Sequence, residues 1–236
     1  MACTPHILPG LYDNDASGIR KRVAALRHAL AKEKIELGLV VGADVHVAPD
    51  LVEKLKAGTV PTLNGTRYFL LEPPHEVVPP NFEQLVRRLI AAGYIPILTH
   101  PERLGWASSR YDIIDRVNGA GCLMQITAGS LLGSFGRRAQ SLAERMLEEG
   151  RVDIIASDAH NTHARMPGLS RARDMIAERY GDRIADDLVV QKPARILENQ
   201  LVRTAVSEYV RPVSETRKPR RKSVRLGRFV EWIRNA

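Results

Sequence analysis

Two cysteines in 236 residues, Cys3 and Cys122, are too few for a disulfide framework and are compatible with a reducing compartment. Their surroundings exclude one phosphate chemistry as well. A cysteine phosphatase needs an arginine six residues beyond its thiolate, and those positions hold Pro9 and Ala128. No run of eighteen apolar residues and no signal-peptide pattern follows Met1, so neither a membrane span nor export is expected, and the cytoplasm is the default location. No glycine-rich phosphate loop opens any predicted helix. Net charge is also scarce until the end of the chain: residues 211–236 carry nine Lys/Arg against two Glu, so that +7 of the total +8 lies there and the body is nearly neutral.

What is present is ordinary for a soluble globular protein, 44% apolar and 26% charged, at a length that suits one domain with an appendage. Ile19, Val23, Leu26 and Leu30 fall at helical spacing and predict an amphipathic helix over 17–33 with Ser17 as its cap. Leu37 to Val47 predicts a strand, Asp50 to Ala57 a short helix stopped by Gly58, and Arg67 to Leu71 a strand closed by Glu72 and a Pro-Pro pair. Asn81 and Gln84 suggest a capping-box start to a helix ended by Gly93. Strands then follow at Ile95–Thr99, Cys122–Thr127 and Val152–Ala156. Helices are predicted over 111–118, 136–149, 170–180 and 194–199. Strand and helix alternate at least five times, which argues for parallel strands joined by crossover helices, in a doubly wound sheet or a barrel.

Polar residues choose between these. Asp44 with His46, Glu72, His100, Thr127 and Asp158 with His160 all fall at or near the C-terminal ends of successive predicted strands, the arrangement a β/α barrel offers at one mouth. Mixed Asp/Glu/His donors suit Mn, Fe or Zn, and such a site makes hydroxide from water near neutral pH and aims it at phosphorus without a protein nucleophile. Asp158 and His160, two apart, would leave one face of an extended segment; alone, D-x-H reads equally as an Asx-type loop. Arg103 and Arg165 each follow a His-bearing loop and offer a guanidinium fork for a phosphoryl group. His46 is read as standing behind the ligands, Gln125 and Thr127 as hydrogen-bonding support. His75 and Glu76 read as solvated loop, Tyr68 and Phe69 as core, and Tyr12 and Trp106 as rings that could lie beside an aromatic substrate. His28 and His163 receive no role.

Six ordered segments carry a resemblance. They are A-C-T-P-H (2–6), G-A-D-V-H (42–46), L-L-E-P-P (70–74), T-H-P-E-R (99–103), M-Q-I-T-A-G-S-L-L-G-S-F-G (124–136) and A-S-D-A-H-N (156–161). Together they resemble the polymerase-and-histidinol-phosphatase superfamily and, within it, the bacterial capsule and exopolysaccharide tyrosine phosphatases. The resemblance implies an α/β fold, a distorted β/α barrel, holding a cluster of divalent metal ions, manganese foremost, that dephosphorylates a tyrosine kinase controlling polysaccharide assembly. By position it implies His6, Asp44, Glu72, His100, Asp158 and His160 as metal ligands, and Arg103 and Arg165 as phosphate-binding residues. Asp44 stands where the family more often has Glu.

The family pattern opens with an H-x-H strand and a helix ahead of T-P-H, whereas this sequence starts within T-P-H. The expectation is therefore a barrel without its first strand-helix unit, with weak metal retention and low phosphatase activity. The alternatives are a regulatory module that keeps a phosphotyrosine-recognising surface, or a small-molecule phosphatase. The phosphatase domain is expected over 1–205, with a basic tail over 206–236. In that tail Leu226, Phe229, Val230 and Ile233 recur at helical spacing behind R-K-P-R-R-K, which suits anionic lipid headgroups and a place peripheral to the inner membrane. No recognised nucleic-acid-binding motif accompanies it.

Overall fold

A computed structural model describes residues 1–202. The basic tail and its amphipathic segment lie outside the described residues.

Short, largely apolar runs form the strands. In chain order the elements are β1 (Ala2–Cys3), β2 (His6–Ile7), α1 (Ala16–Lys32), β3 (Val40–Val41), β4 (Asp44–His46), α2 (Leu51–Lys56), β5 (Tyr68–Glu72), α3 (Phe82–Ala91), β6 (Ile95–Thr99), α4 (Tyr111–Gly119), β7 (Leu123–Thr127), α5 (Ala128–Leu131), α6 (Gly136–Glu148), β8 (Ile154–Ala156), α7 (Ser170–Tyr180), α8 (Asp182–Asp186) and, after a π-helical turn, α9 (Lys192–Leu197). β1 pairs with β3. The other six strands form one parallel sheet in the order β2-β4-β5-β6-β7-β8. Spatial order follows chain order without reversal, as in the wall of a barrel, and this excludes the doubly wound alternative. Among the described residues no strand pair joins β8 back to β2.

Period-two alternation divides each strand between two cores. In β5, Phe69 and Leu71 belong to the large core under the helices, while Tyr68 and Leu70 belong to a smaller cluster with Ile97, Leu123, Ile154 and Ile196. The latter face is closed by the chain after α9, where the Tyr68 hydroxyl donates to Gln200 O at 2.7 Å and accepts from Val202 N–H at 3.1 Å. Continuing the alternation along that inner face places Glu72 above Leu70, Thr99 above Ile97, and Gln125 then Thr127 above Leu123. A polar layer thus lies over an apolar one, at the C-terminal ends of the strands. On the other face, α3 buries Phe82, Leu85, Val86 and Leu89 at i, i+3, i+4 and i+7, each fully buried side chain contributing about 1.5–3 kcal/mol.

Several local expectations are corrected. The cap of α1 is Asp15, whose carboxylate accepts from Gly18 N–H at 2.6 Å, and not Ser17. Asn81 has left-handed backbone (φ 55°) and makes no side-chain cap bond, so the capping box is not formed. The single strand expected over 37–47 is two, broken at Gly42, where a Cβ would come within 2.7 Å of Leu63 Cδ2. The short α5 and α8 and the π turn had no periodic signal long enough to be read.

Candidate metal centre

Registers set the first contacts. His6 on β2 pairs with Asp44 on β4, and His46 on β4 pairs with Glu72 on β5, so adjacent strand ends deliver an imidazole and two carboxylates to one point. His6 Nδ1 is 2.8 Å from Glu72 Oε2 and 3.9 Å from Asp44 Oδ2. His100, just past β6, brings Nε2 to 3.6 Å from Glu72 Oε1 and 3.8 Å from Asp44 Oδ2. His75 approaches Glu72 Oε1 at 3.5 Å and places its ring 5.1 Å from that of His100. Two overlapping ligand sets result, His6 with Asp44 and Glu72, and Glu72 with His75 and His100; within each, the donor atoms lie within 4.8 Å of one another. Glu72 belongs to both.

Asp158 and His160 come from the loop after β8. Asp158 has φ 48°, so the extended geometry imagined for D-x-H does not persist past β8. Its Oδ2 accepts from Arg103 Nη1 at 2.5 Å and from Arg165 Nη2. His160 Nδ1 lies 2.9 Å from the Asp158 carbonyl, and its ring is 5.9 Å from that of His6. His100 is also left-handed, at φ 36°. Two non-glycine residues in this sparsely populated region flank one site, each costing on the order of 1 kcal/mol or more, a cost the surrounding contacts must offset. Arg103 and Arg165 stack on Phe135, at 4.3 and 5.7 Å from its ring centre.

Burial, and then the charge of Glu72, push the Asp44 carboxyl up to about 8. Burial would raise Glu72 too, but hydrogen bonds from His6 and His75 outweigh it and hold Glu72 below the usual carboxylate range. The same bond to Glu72 raises His6. Burial, helped by the charge of Arg103, drives His100 down to about 3, so its imidazole is neutral and keeps a lone pair. Burial also lowers His46, whose Nδ1, like that of His100, is buried without a partner. Two crowded carboxylates beside the neutral His100 imidazole, with His6 held against Glu72, supply mixed oxygen and nitrogen donors, and the residues present fit a divalent cation.

Of the residues expected at the site, His6, Asp44, Glu72 and His100 meet in one cluster, while Asp158, His160, Arg103 and Arg165 form the adjoining wall. All of these except the buried Asp44 line a pocket of about 340 Å³, together with His46, His75 and the loop after β2. His75 was read as solvated loop; the signal for it was its spacing three beyond Glu72. Trp106 is not open to a substrate. It is buried, with Nε1 donating to Pro74 O at 3.0 Å, and Gly105 N–H donates to His75 O at 2.7 Å, so the loop after β6 clasps the loop that carries His75. Glu102, between His100 and Arg103, is fully buried and accepts from Thr127 N–H and Ser130 Oγ at 2.9 and 2.7 Å, pinning that turn to α5.

Residues 1–198 match the family described as capsular polysaccharide synthesis, CpsB/CapC. The chain belongs to the CpsB/CapC family. Among its relatives, the tyrosine-protein phosphatase YwqE of Bacillus subtilis is 30% identical over 84% of this chain and 78% of its own. The putative tyrosine-protein phosphatase CapC of Staphylococcus aureus is 34% identical over 68% of this chain and 63% of its own. A solved structure, from work describing YwqE of Bacillus subtilis and CpsB of Streptococcus pneumoniae as unique metal-dependent tyrosine phosphatases, superposes with a TM-score of 0.82 at 30% identity. That match covers 88% of this chain and 84% of the other. The fold is thus the α/β fold of these CpsB/CapC proteins.

Proposed function

We propose that this chain is a metal-dependent protein tyrosine phosphatase acting in capsule or exopolysaccharide synthesis, through dephosphorylation of a polysaccharide-regulating tyrosine kinase. The observation that carries the reading is the convergence of His6, Asp44, Glu72 and His100 from four adjacent strand ends, beside a pocket whose other wall holds Arg103 and Arg165. Asp158 and His160 complete the ligand set, and manganese is the foremost metal, with iron and zinc as alternatives. When bound, the metal supplies a water activated toward hydroxide and positive charge for the phosphoryl oxygens.

The chain's own residues do the rest. Arg103 and Arg165, braced on Phe135, bind the phosphoryl group and neutralise the charge that builds on it. His6 holds Glu72 by its 2.8 Å bond and so orients the carboxylate common to both ligand sets. Burial keeps the His100 imidazole neutral. Past left-handed backbone at both residues, His100 reaches Glu72 and Asp44, and Asp158 meets Arg103 and Arg165. The phosphatase unit spans residues 1–205. No helix among the described residues is long and apolar enough to cross a membrane, and the basic tail over 206–236 holds the cytoplasmic enzyme at an anionic surface of the inner membrane.

The test is hydrolysis of a phosphotyrosine peptide by the purified chain, with metal content measured by elemental analysis, after chelation and after reloading with Mn, Fe or Zn. Activity is expected to vanish on chelation and return on reloading. Turnover unaffected by chelation, or no turnover with any of the three metals, would overturn the reading.

A further inference from the structure

The pocket is chemically divided. Nine of its lining residues are ionisable, and its three apolar ones, Leu8, Leu11 and Tyr12, all come from the loop between β2 and α1. Leu11 is 66% exposed and Tyr12 47%, which leaves two large apolar side chains in water beside the ionisable lining of the pocket. Such exposure carries a hydration cost unless something covers it.

That loop is too well built for the exposure to be slack. Leu8 N–H donates to Tyr12 O at 3.1 Å and Tyr12 N–H to Leu8 O at 2.7 Å, closing a tight hairpin. Its turn needs the left-handed backbone of Gly10 (φ 83°), whose N–H donates to Asp13 Oδ1 at 2.7 Å. Asn14 Nδ2 donates to His6 O at 2.8 Å and Arg22 Nη1 to Asn14 Oδ1 at 2.6 Å, tying the loop to β2 and to α1. Tyr12 is stacked on the His6 imidazole at 5.3 Å with 30° between the planes. The apolar surface is thereby fixed relative to the ionisable floor.

We propose that the loop from Leu8 to Asn14 is an aryl-recognition element, in which Leu11 and Tyr12 cover the ring of an aromatic phosphomonoester whose phosphoryl group lies against Arg103 and Arg165. The inference rests on the phosphatase reading and adds to it the residues that select an aryl ester. The occupant follows from the two chemistries of the pocket: a dianionic head for the arginines, and a flat apolar body to cover the loop. Phosphotyrosine offers both, whereas an alkyl phosphate such as phosphoserine offers Leu11 nothing to cover. An aromatic ring over Leu11 removes on the order of 40 Å² of apolar surface from water, which corresponds to roughly fivefold in affinity.

The experiment compares Leu11→Ser with the wild-type chain, both loaded with metal. Leu11 is 66% exposed and belongs to no buried core cluster, so the variant is expected to fold. Specificity constants are measured for phenyl phosphate and phosphoserine, and affinities for phenylphosphonate and methylphosphonate by calorimetry. In Leu11→Ser the aryl-to-alkyl ratio is expected to fall about fivefold in both assays, with the alkyl values within about twofold of wild type. Because intrinsic ester reactivity is common to both proteins, it cancels in the ratio. An equal loss for aryl and alkyl ligands, or no change in either, overturns the proposal. Should the wild type hydrolyse neither ester, the phosphatase reading fails, and the phosphonate arm still decides this one: a phenyl preference lost in Leu11→Ser supports it, and no phenyl preference overturns it.

Discussion

Two cavities of similar size sit at opposite ends of the sheet, and they differ in kind. The one at the C-terminal ends of the strands, about 340 Å³, gathers five histidines, two carboxylates and two arginines. The other, about 390 Å³, is lined by Val41, Leu55, Val60, Thr62, Thr66 and Tyr94 among others, with Arg20 its one charged residue. Thr66 and Tyr94 precede β5 and β6, so this cavity lies at the N-terminal ends. Any parallel sheet leaves gaps at both ends, and volume alone does not mark a site. What marks it is that a parallel sheet sends every strand's last residue to the same rim, where side chains far apart in sequence meet.

The sharpest way to break this contrast is to remove the shared carboxylate. Glu72→Gln, nearly isosteric, is expected to abolish metal retention and lower kcat/KM on a phosphotyrosine peptide on the order of 10³-fold, while Thr62→Val in the other cavity leaves both within about twofold. Comparable losses from the two substitutions would show that the ends are not functionally distinct. Next in size is Arg103→Lys. Lysine keeps the charge but loses the fork that reaches Asp158 and stacks on Phe135. A fall in kcat/KM of about 10²-fold, with metal content unchanged by elemental analysis, is the expected result; loss of metal along with activity would mean that Arg103 supports the cluster instead of the phosphoryl group.

The same contrast explains what the sequence made legible. Asp44, Glu72, His100 and Asp158 could be placed at strand ends because each stands at or just past the end of a largely apolar run, and the sequential strand order could be anticipated from the alternation of short strands and periodic helices. His75 could not, because a Pro-Pro pair makes its segment read as loop and only the clasp from Gly105 and Trp106 holds it over Glu72. Phe135 was hidden for a similar reason: nothing in G-S-F-G says that a ring will lie under two guanidiniums brought from loops 32 and 30 residues away. The D-x-H pair was read on the assumption of extended backbone, and the left-handed turn at Asp158 replaces that geometry with one fixed by Arg103 and Arg165. Local periodicity carries the elements; contacts between loops carry the site.

A smaller effect concerns pH. With its carboxyl raised from 3.8 to about 8, Asp44 holds a proton that an incoming cation must expel. Metal affinity, measured by titration in a non-coordinating buffer, is expected to fall about tenfold for each pH unit below 8 and to level off above it. Stability follows the opposite direction. The raised folded-state value means that the metal-free protein binds this proton more tightly than the unfolded chain, so the contribution is full near pH 4 and is lost as pH rises through about 8. His6, also raised, acts in the same direction. Below about pH 6.5 His100 and His46, both lowered in the fold, act in the other direction, so it is between about pH 6.5 and 8 that the melting temperature of the metal-free protein should decline, and metal should remove the decline. A metal affinity independent of pH over that window would exclude Asp44 from the ligand set.

At the far end of the scale, a change in the other cavity should register in stability alone. Gly65 lines that cavity in a left-handed turn at φ 72°, and a Cβ there would meet nothing within 4 Å. The cost of Gly65→Ala is thus purely conformational, about 1 kcal/mol, with no packing contribution. For a domain of this size that lowers the melting temperature by about 2–4 °C, and kcat/KM and metal content should match the wild type. A loss of activity larger than the loss of folded protein would mean that the N-terminal ends of the strands communicate with the C-terminal rim, and that β5, which runs from one cavity to Glu72, is the element through which they do so.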